Sequence, residues 1–293
     1  MGVLLPAAAD DVAFLTWVGA FLLGLGLDYR PQRADRHALA NEDHAMSDEW
    51  LFYPCQMGEH RALIFFDHGI RKDINQIAPP QLLKVRLTFK DQRPDGLSSS
   101  EEYPALAALA DDLQALVKAH GSIYIGRVTV GGHRYFHIFT SEPEATWSSE
   151  LSELGRLHGY VLQFVLSPDQ QREGYWRDPY PSEDDWQVIK DLRVLDLLAK
   201  QGDDGSMSRR IEHWAYFPSS AAVEQFSLWV QAQGYELGSV STADDGQLRI
   251  RFFHDGSCQL SDITSHTIAL RRKASDLGGD YDGWETPVCK TPT

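Results

Sequence analysis

Leu83-Lys84-Val85-Arg86-Leu87-Thr88-Phe89-Lys90 alternates an apolar with a polar side chain at every step. Successive side chains of a strand point to opposite faces, so the stretch reads as a β-strand with one face buried and one wet. Working outward, Ser98-Ser99-Ser100-Glu101-Glu102 offers hydroxyls and acids for a helix start. Leu106, Leu109, Leu113 and Leu116 follow at helical spacing, and Gly121 closes the segment. Residues 123–130 and 134–140 read as strands joined by Gly131-Gly132, a pair able to supply the positive φ that a tight hairpin turn demands. A second helix carries Leu151, Leu154 and Leu157 up to Gly159, and residues 160–166 form a last strand. The order β-α-β-β-α-β is the split βαβ, or ferredoxin-like, arrangement. Both helices then cover one face of a four-stranded antiparallel sheet, and the other face is open to a partner. A hairpin over 50–66 is an addition to this unit.

The second half repeats the scheme. Ile211, His213, Ala215 and Phe217 alternate with Glu212, Trp214 and Tyr216 in a strand. Pro218-Ser219-Ser220 leads into a helix with Ala222, Phe226, Trp229 and Val230, stopped by Gly234. Strands at 235–240 and 247–254 flank Asp244-Asp245-Gly246, a helix over 261–277 ends at Gly278-Gly279, and 281–289 is the final strand. The expected fold class is α+β: two tandem ferredoxin-like (βαββαβ) modules with antiparallel sheets.

Length and charge agree with two domains. The chain has 293 residues, 27 Lys+Arg against 42 Asp+Glu, and a formal net charge of −15. This balance opposes a direct grip on nucleic acid, which needs clustered Lys and Arg to neutralise phosphates. It suits a soluble chain that repels RNA and membranes, or one that meets a basic partner. The densest excess falls at 169–204, with 10 acids against 5 bases. Pro168, Pro179 and Pro181 also break the rhythm there, as in a polar linker. The expected organisation is an extension at 1–45, a first domain at 46–168, an acidic aromatic linker at 169–183 and a second domain at 184–293. Cys55, Cys258 and Cys289 are isolated and form no CxxC pair, which points to a reducing, cytoplasmic setting without a disulfide or zinc framework.

Residues 12–27 are an almost uncharged run, short for a membrane span and preceded by Asp10 and Asp11 rather than a basic signal region. Three readings stand: an extension upstream of a translation start at Met46, a core or docking helix, or a membrane anchor.

A search for catalytic patterns finds no GxxxxGK[ST] loop, no HExxH helix and no GxSxG elbow. His133 and His137 lie four apart on one strand face, as metal ligands can, but the sequence favours a solvent-facing or edge pair beside a hairpin. The neighbours Asp67-His68 and His254-Asp255 read as turn markers. No cofactor or metal is therefore expected. The aromatics Tyr175, Trp176, Tyr180 and Trp186 cluster in the acidic segment, either as packing or as a contact surface, beside Glu183-Asp184-Asp185.

The most distinctive string is Gly278-Gly279-Asp280-Tyr281-Asp282-Gly283-Trp284, a helix stop leading into an aromatic strand. This string, with Ile211-Glu212-His213, Gly234-Tyr235 and the Gly/Asp turn after the helix at Leu192, resembles the regulator of ribonuclease E activity B family, the ribonuclease E inhibitors, over roughly 184–290. Residues 47–168 resemble an uncharacterised bacterial domain often fused ahead of it. The resemblance implies a cytoplasmic, ferredoxin-like, non-catalytic regulator that binds a ribonuclease E-type enzyme by protein–protein contact and inhibits RNA processing. The chain departs from the pattern at Glu285, where members commonly have Gly, and at Pro287, which removes a ladder donor. The candidate partner-binding residues are Tyr281, Asp282 and Trp284, with Tyr175, Trp176, Glu183, Asp184 and Asp185. Two other readings compete. One is a small-molecule or metal-dependent hydrolytic module in which His60, Asp67, His68, His133 and His137 line a site. The other is an immunity-type inhibitor of a basic toxin.

Overall fold

The structure, a computed structural model, describes residues 49–290. The chain separates into two compact units that meet in sequence between Ile189 and Lys190. The extension at 1–45, with its apolar run at 12–27, and Met46 lie outside the described residues. Among the described residues, no helix is long and apolar enough to cross a membrane.

The N-terminal unit is built on a six-stranded sheet. Its strands are β1 (Trp50–Met57), β2 (His60–Asp67), β3 (Gln81–Thr88), β4 (Ile123–Val130), β5 (His133–Thr140) and β6 (Leu162–Pro168). A 3-10 turn (Gly69–Lys72) and α1 (Ile74–Ile77) follow β2, α2 (Tyr103–Ala119) follows β3, and α3 (Glu144–His158) follows β5. Every strand pairing is antiparallel and the order is β1-β2-β4-β5-β3-β6. The four strands from β3 to β6 thus hold the ferredoxin-like order, with the β1-β2 hairpin added beside β4. Gly131 and Gly132 have φ of 56° and 81°, as the tight β4-β5 turn requires.

The alternation in β3 places its apolar residues as expected. Leu83, Val85 and Leu87 are buried with Leu106, Leu109, Leu113, Trp147 and Leu151 of α2 and α3. The second face, however, is not open. Adjacent Leu82 and Leu83 point to opposite faces and both are buried, so the sheet is covered on both sides at this end. Leu82, Phe66, Phe139 and Ile125 pack with Ile74, Tyr175 and Ile189. In residues 169–183, expected as a linker, Tyr175 and Tyr180 instead pack against this sheet. The segment's short helix α4 (Glu173–Trp176) is followed by α5 (Glu183–Ala199).

The C-terminal unit has four strands: β7 (Arg209–Phe217), β8 (Glu236–Thr242), β9 (Leu248–Gly256) and β10 (Asp280–Glu285). Helices α6 (Ser220–Ala232) and α7 (Leu260–Asp276) complete it, and the antiparallel order β10-β7-β9-β8 is again ferredoxin-like. The core joins Ala215, Phe217, Phe226, Val230, Phe252 and Leu270 between the helices and one sheet face. The last strand stops at Glu285, short of the expected 281–289. Proline at 287 cannot donate to a ladder.

Candidate functional site

The string that set this chain apart lies on β10, at the edge of the C-terminal sheet. In a regular strand Tyr281 and Trp284, three residues apart, would point to opposite faces. Here Tyr281 pairs with Ala215 and Trp284 with His213, while the register shifts between Tyr281 and Gly283. Asp282 is the residue left over, and the bulge turns both aromatics inward. Gly283 has φ of 151°, a conformation side-chain-bearing residues rarely adopt.

Both aromatics are consequently core groups, 1% and 7% exposed. The Trp284 Nε1–H donates to Asp191 Oδ1 at 2.9 Å, and the Thr267 hydroxyl donates to the other oxygen at 2.5 Å. Asp191 is fully buried, so these donors offset the cost of holding a carboxylate away from water. Tyr281 Oη lies 2.8 Å from His213 Nδ1, whose Nε2 lies 2.8 Å from His254 Nδ1. His254 stacks on His266 with centroids 4.0 Å apart, and His266 Nδ1 bonds the Tyr235 hydroxyl. Burial, then mutual repulsion, holds His213 well below the ordinary histidine range and His254 down at about 4. Burial also lowers His266. The trio is neutral near pH 7. The pair His254-Asp255 reads in sequence as a turn marker, whereas His254 sits within β9 beside His213. The visible signal was that His213 occupies a buried position in the β7 alternation.

The turn after α5 is held by Asp203, which pairs with the Arg209 guanidinium and accepts from the backbone N–H groups of Gly205 at 2.9 Å and Cys289 at 2.7 Å. Burial would raise its carboxyl, but Arg209 and these donors outweigh it and hold it at about 2.

The other candidates divide between core and surface. Tyr175 is wholly buried and donates its hydroxyl to the Asp67 carbonyl at 2.8 Å. Trp176 is 38% exposed, edge-on to Tyr175 and Tyr180. Tyr180 and Trp186 pack on Phe66 and His68, so these two, like Tyr175, are packing groups of the N-terminal unit, whereas Trp176 keeps an exposed edge. Asp185 belongs to a helix start: the Ser182 backbone N–H donates to its carboxylate at 3.0 Å and its own N–H donates to Ser182 Oγ at 3.3 Å, a capping box. Glu183 is exposed and Asp184 half-buried at that same start. Asp282 is exposed at the bulge.

The histidines of the hydrolytic reading are not gathered. His60 opens β2 and Asp67 ends it, about 23 Å apart at roughly 3.3 Å per residue. His133 bonds Thr88 Oγ1 at 3.1 Å, His68 lies 3.6 Å from Glu49, and His137 is buried with its Nε2 3.3 Å from Asp178. Asp178 also pairs with Lys84, and these two partners bring its carboxyl down to about 2 against the effect of burial. Among the described residues, no group of three or more His, Cys, Asp or Glu side chains is placed to hold a metal ion.

Residues 189–286 match the family model "Regulator of ribonuclease activity B", and residues 48–177 match a "Family of unknown function (DUF695)". The C-terminal half thus resembles a family of ribonuclease regulators and the N-terminal half a domain without assigned activity. No curated protein matches the chain. Among solved structures, one provisionally described as a glycine cleavage system transcriptional repressor is 11% identical, covering 71% of this chain and 98% of that one with a TM-score of 0.22. An unknown protein from Galdieria sulphuraria is 13% identical, covering 71% and 99%, with a TM-score of 0.20.

Proposed function

We propose that this chain is a non-catalytic, cytoplasmic regulator that binds a ribonuclease E-type enzyme by protein–protein contact and restrains its processing of RNA. The observation that carries the reading is the family match over 189–286, which spans the whole βαββαβ unit from β7 to β10. The residues that make the string distinctive support it, because they are built into the fold rather than into a reaction centre. Tyr281 and Trp284 anchor β10 to His213 and Asp191, and none of these four holds a reactive group toward solvent. An excess of acids suits a partner segment rich in Lys and Arg, and such contacts steer association and are screened by salt. The N-terminal unit brings no activity to this reading.

The test is capture from a bacterial extract with the full chain as bait. Enrichment of a ribonuclease or of a component of its assembly, weakening as salt rises, is expected, with slower RNA cleavage when the purified proteins are mixed. Capture that enriches neither would overturn the proposal. Capture of a basic toxin in their place would move the chain to the immunity class.

A further inference from the structure

The sheet face of the C-terminal unit turned away from α6 and α7 carries a pattern that the buried side does not explain. Cross-strand neighbours share a face, so the pairings lay it out as rows. Asp280 lies beside Tyr216, which lies beside Arg249; Gly283 lies beside Trp214, which lies beside Arg251; Glu285 lies beside Glu212, which lies beside Phe253. Trp214 and Tyr216 are half-buried, and Asp280, Asp282 and Glu285 are exposed. The bulge puts a glycine next to Trp214, and nothing stands within 4 Å of where a Cβ on Gly283 would be. The result is an open recess of about 490 Å³ floored by Trp214 and Tyr216 and walled by Asp282, Glu285 and Arg249.

The same face shows what such a recess takes. Phe253 lies between two guanidinium groups, with Arg210 at 4.4 Å and Arg251 at 4.8 Å from its ring centre. Each guanidinium also reaches a carboxylate, Arg210 that of Glu236 and Arg251 that of Glu212. Aromatic ring, cation and carboxylate are all supplied by the chain there. At the recess the chain supplies two rings and two carboxylates, with Arg249 at the wall beside Tyr216, but among the described residues no guanidinium stacks on Trp214 or Tyr216 as Arg210 and Arg251 do on Phe253. Glu285 stands directly across from Glu212, a like-charge pair that destabilises a sheet, and Arg251 serves only Glu212 of the two.

We infer that this recess seats an arginine side chain from a basic polypeptide segment of a protein partner, an assignment that rests on the regulator reading above. The guanidinium stacks on Trp214 or Tyr216 while Asp282 and Glu285 accept its N–H groups. An open four-stranded sheet with aromatics on its central strands is also a platform on which single-stranded RNA stacks. The three exposed carboxylates of β10 would face its phosphates, which favours the cationic peptide.

The test is fluorescence anisotropy of a labelled nona-arginine peptide against the full chain, beside a labelled single-stranded RNA nonamer. Trp214→Ala is expected to weaken peptide binding about tenfold, as loss of a cation–π contact implies, while Trp214→Phe keeps most of it. D282N/E285Q, two surface changes that leave the core intact, is expected to weaken binding and flatten its salt dependence. Binding unchanged in both Trp214→Ala and D282N/E285Q would show the peptide reading only overall charge and would overturn the inference. So would preference for the RNA. Extract capture with the wild type and D282N/E285Q separates the two proposals. A ribonuclease captured equally by both sinks the recess and leaves the regulator. No ribonuclease captured, with peptide binding that still needs the recess residues, sinks the regulator and leaves the recess.

Discussion

Buried His213 and half-buried His254 and His266 are linked with Tyr235 and Tyr281 in the C-terminal unit by hydrogen bonds and ring stacking. Their folded pKa values lie below that of an unfolded histidine, near 6.5. As pH falls through 6.5 the unfolded chain takes up protons that the folded chain refuses, so stability present above 6.5 is lost on the way down to about 4. Asp178 and Asp203, both depressed to about 2, act only further down, as pH falls from the ordinary aspartate range. Buried His137, in the N-terminal unit, falls in the same window as the trio. Urea midpoints measured at pH 7.5, 6 and 5 are therefore expected to decline, and His254→Gln to make that decline shallower. A wild-type midpoint flat across this range would refute the neutral trio.

At the scale of the element, β10 shows how a motif acquires its meaning. Its aromatics are legible in sequence, but their common direction comes from one inserted residue, Asp282, and one permissive one, Gly283. No Cβ clash awaits at 283, so Gly283→Ala tests backbone strain alone. It is expected to cost about 1–3 kcal/mol in chemical denaturation, the range for a residue forced into a sparsely populated conformation. A neutral result would mean that the bulge relaxes. The helix start at Ser182 makes the complementary point. Ser182-Glu183-Asp184-Asp185 reads as a run of charge, yet Asp185 is engaged as a capping partner.

At the scale of the molecule, the N-terminal unit needs the segment that composition marks as a linker. Tyr175 and Ile189 cover Leu82, Phe66 and Phe139, so a fragment ending at 168 is expected to expose that face and aggregate, whereas one ending at 189 folds. Equal solubility and equal cooperative melting of the two fragments would contradict this. Leu82-Leu83 was the available clue, since two adjacent leucines on one strand need cover on both faces. Alternation, helical spacing and glycine turns, all local patterns, were enough to set both βαββαβ orders and the added hairpin, because they follow from the periods of strand and helix. What only the tertiary structure decided was which faces are covered and which side chains meet: Tyr175 into the core, His213 onto His254, Trp284 onto Asp191, Trp214 left beside a glycine. Those outcomes depend on register shifts and on contacts between residues tens of positions apart, and no local period encodes them.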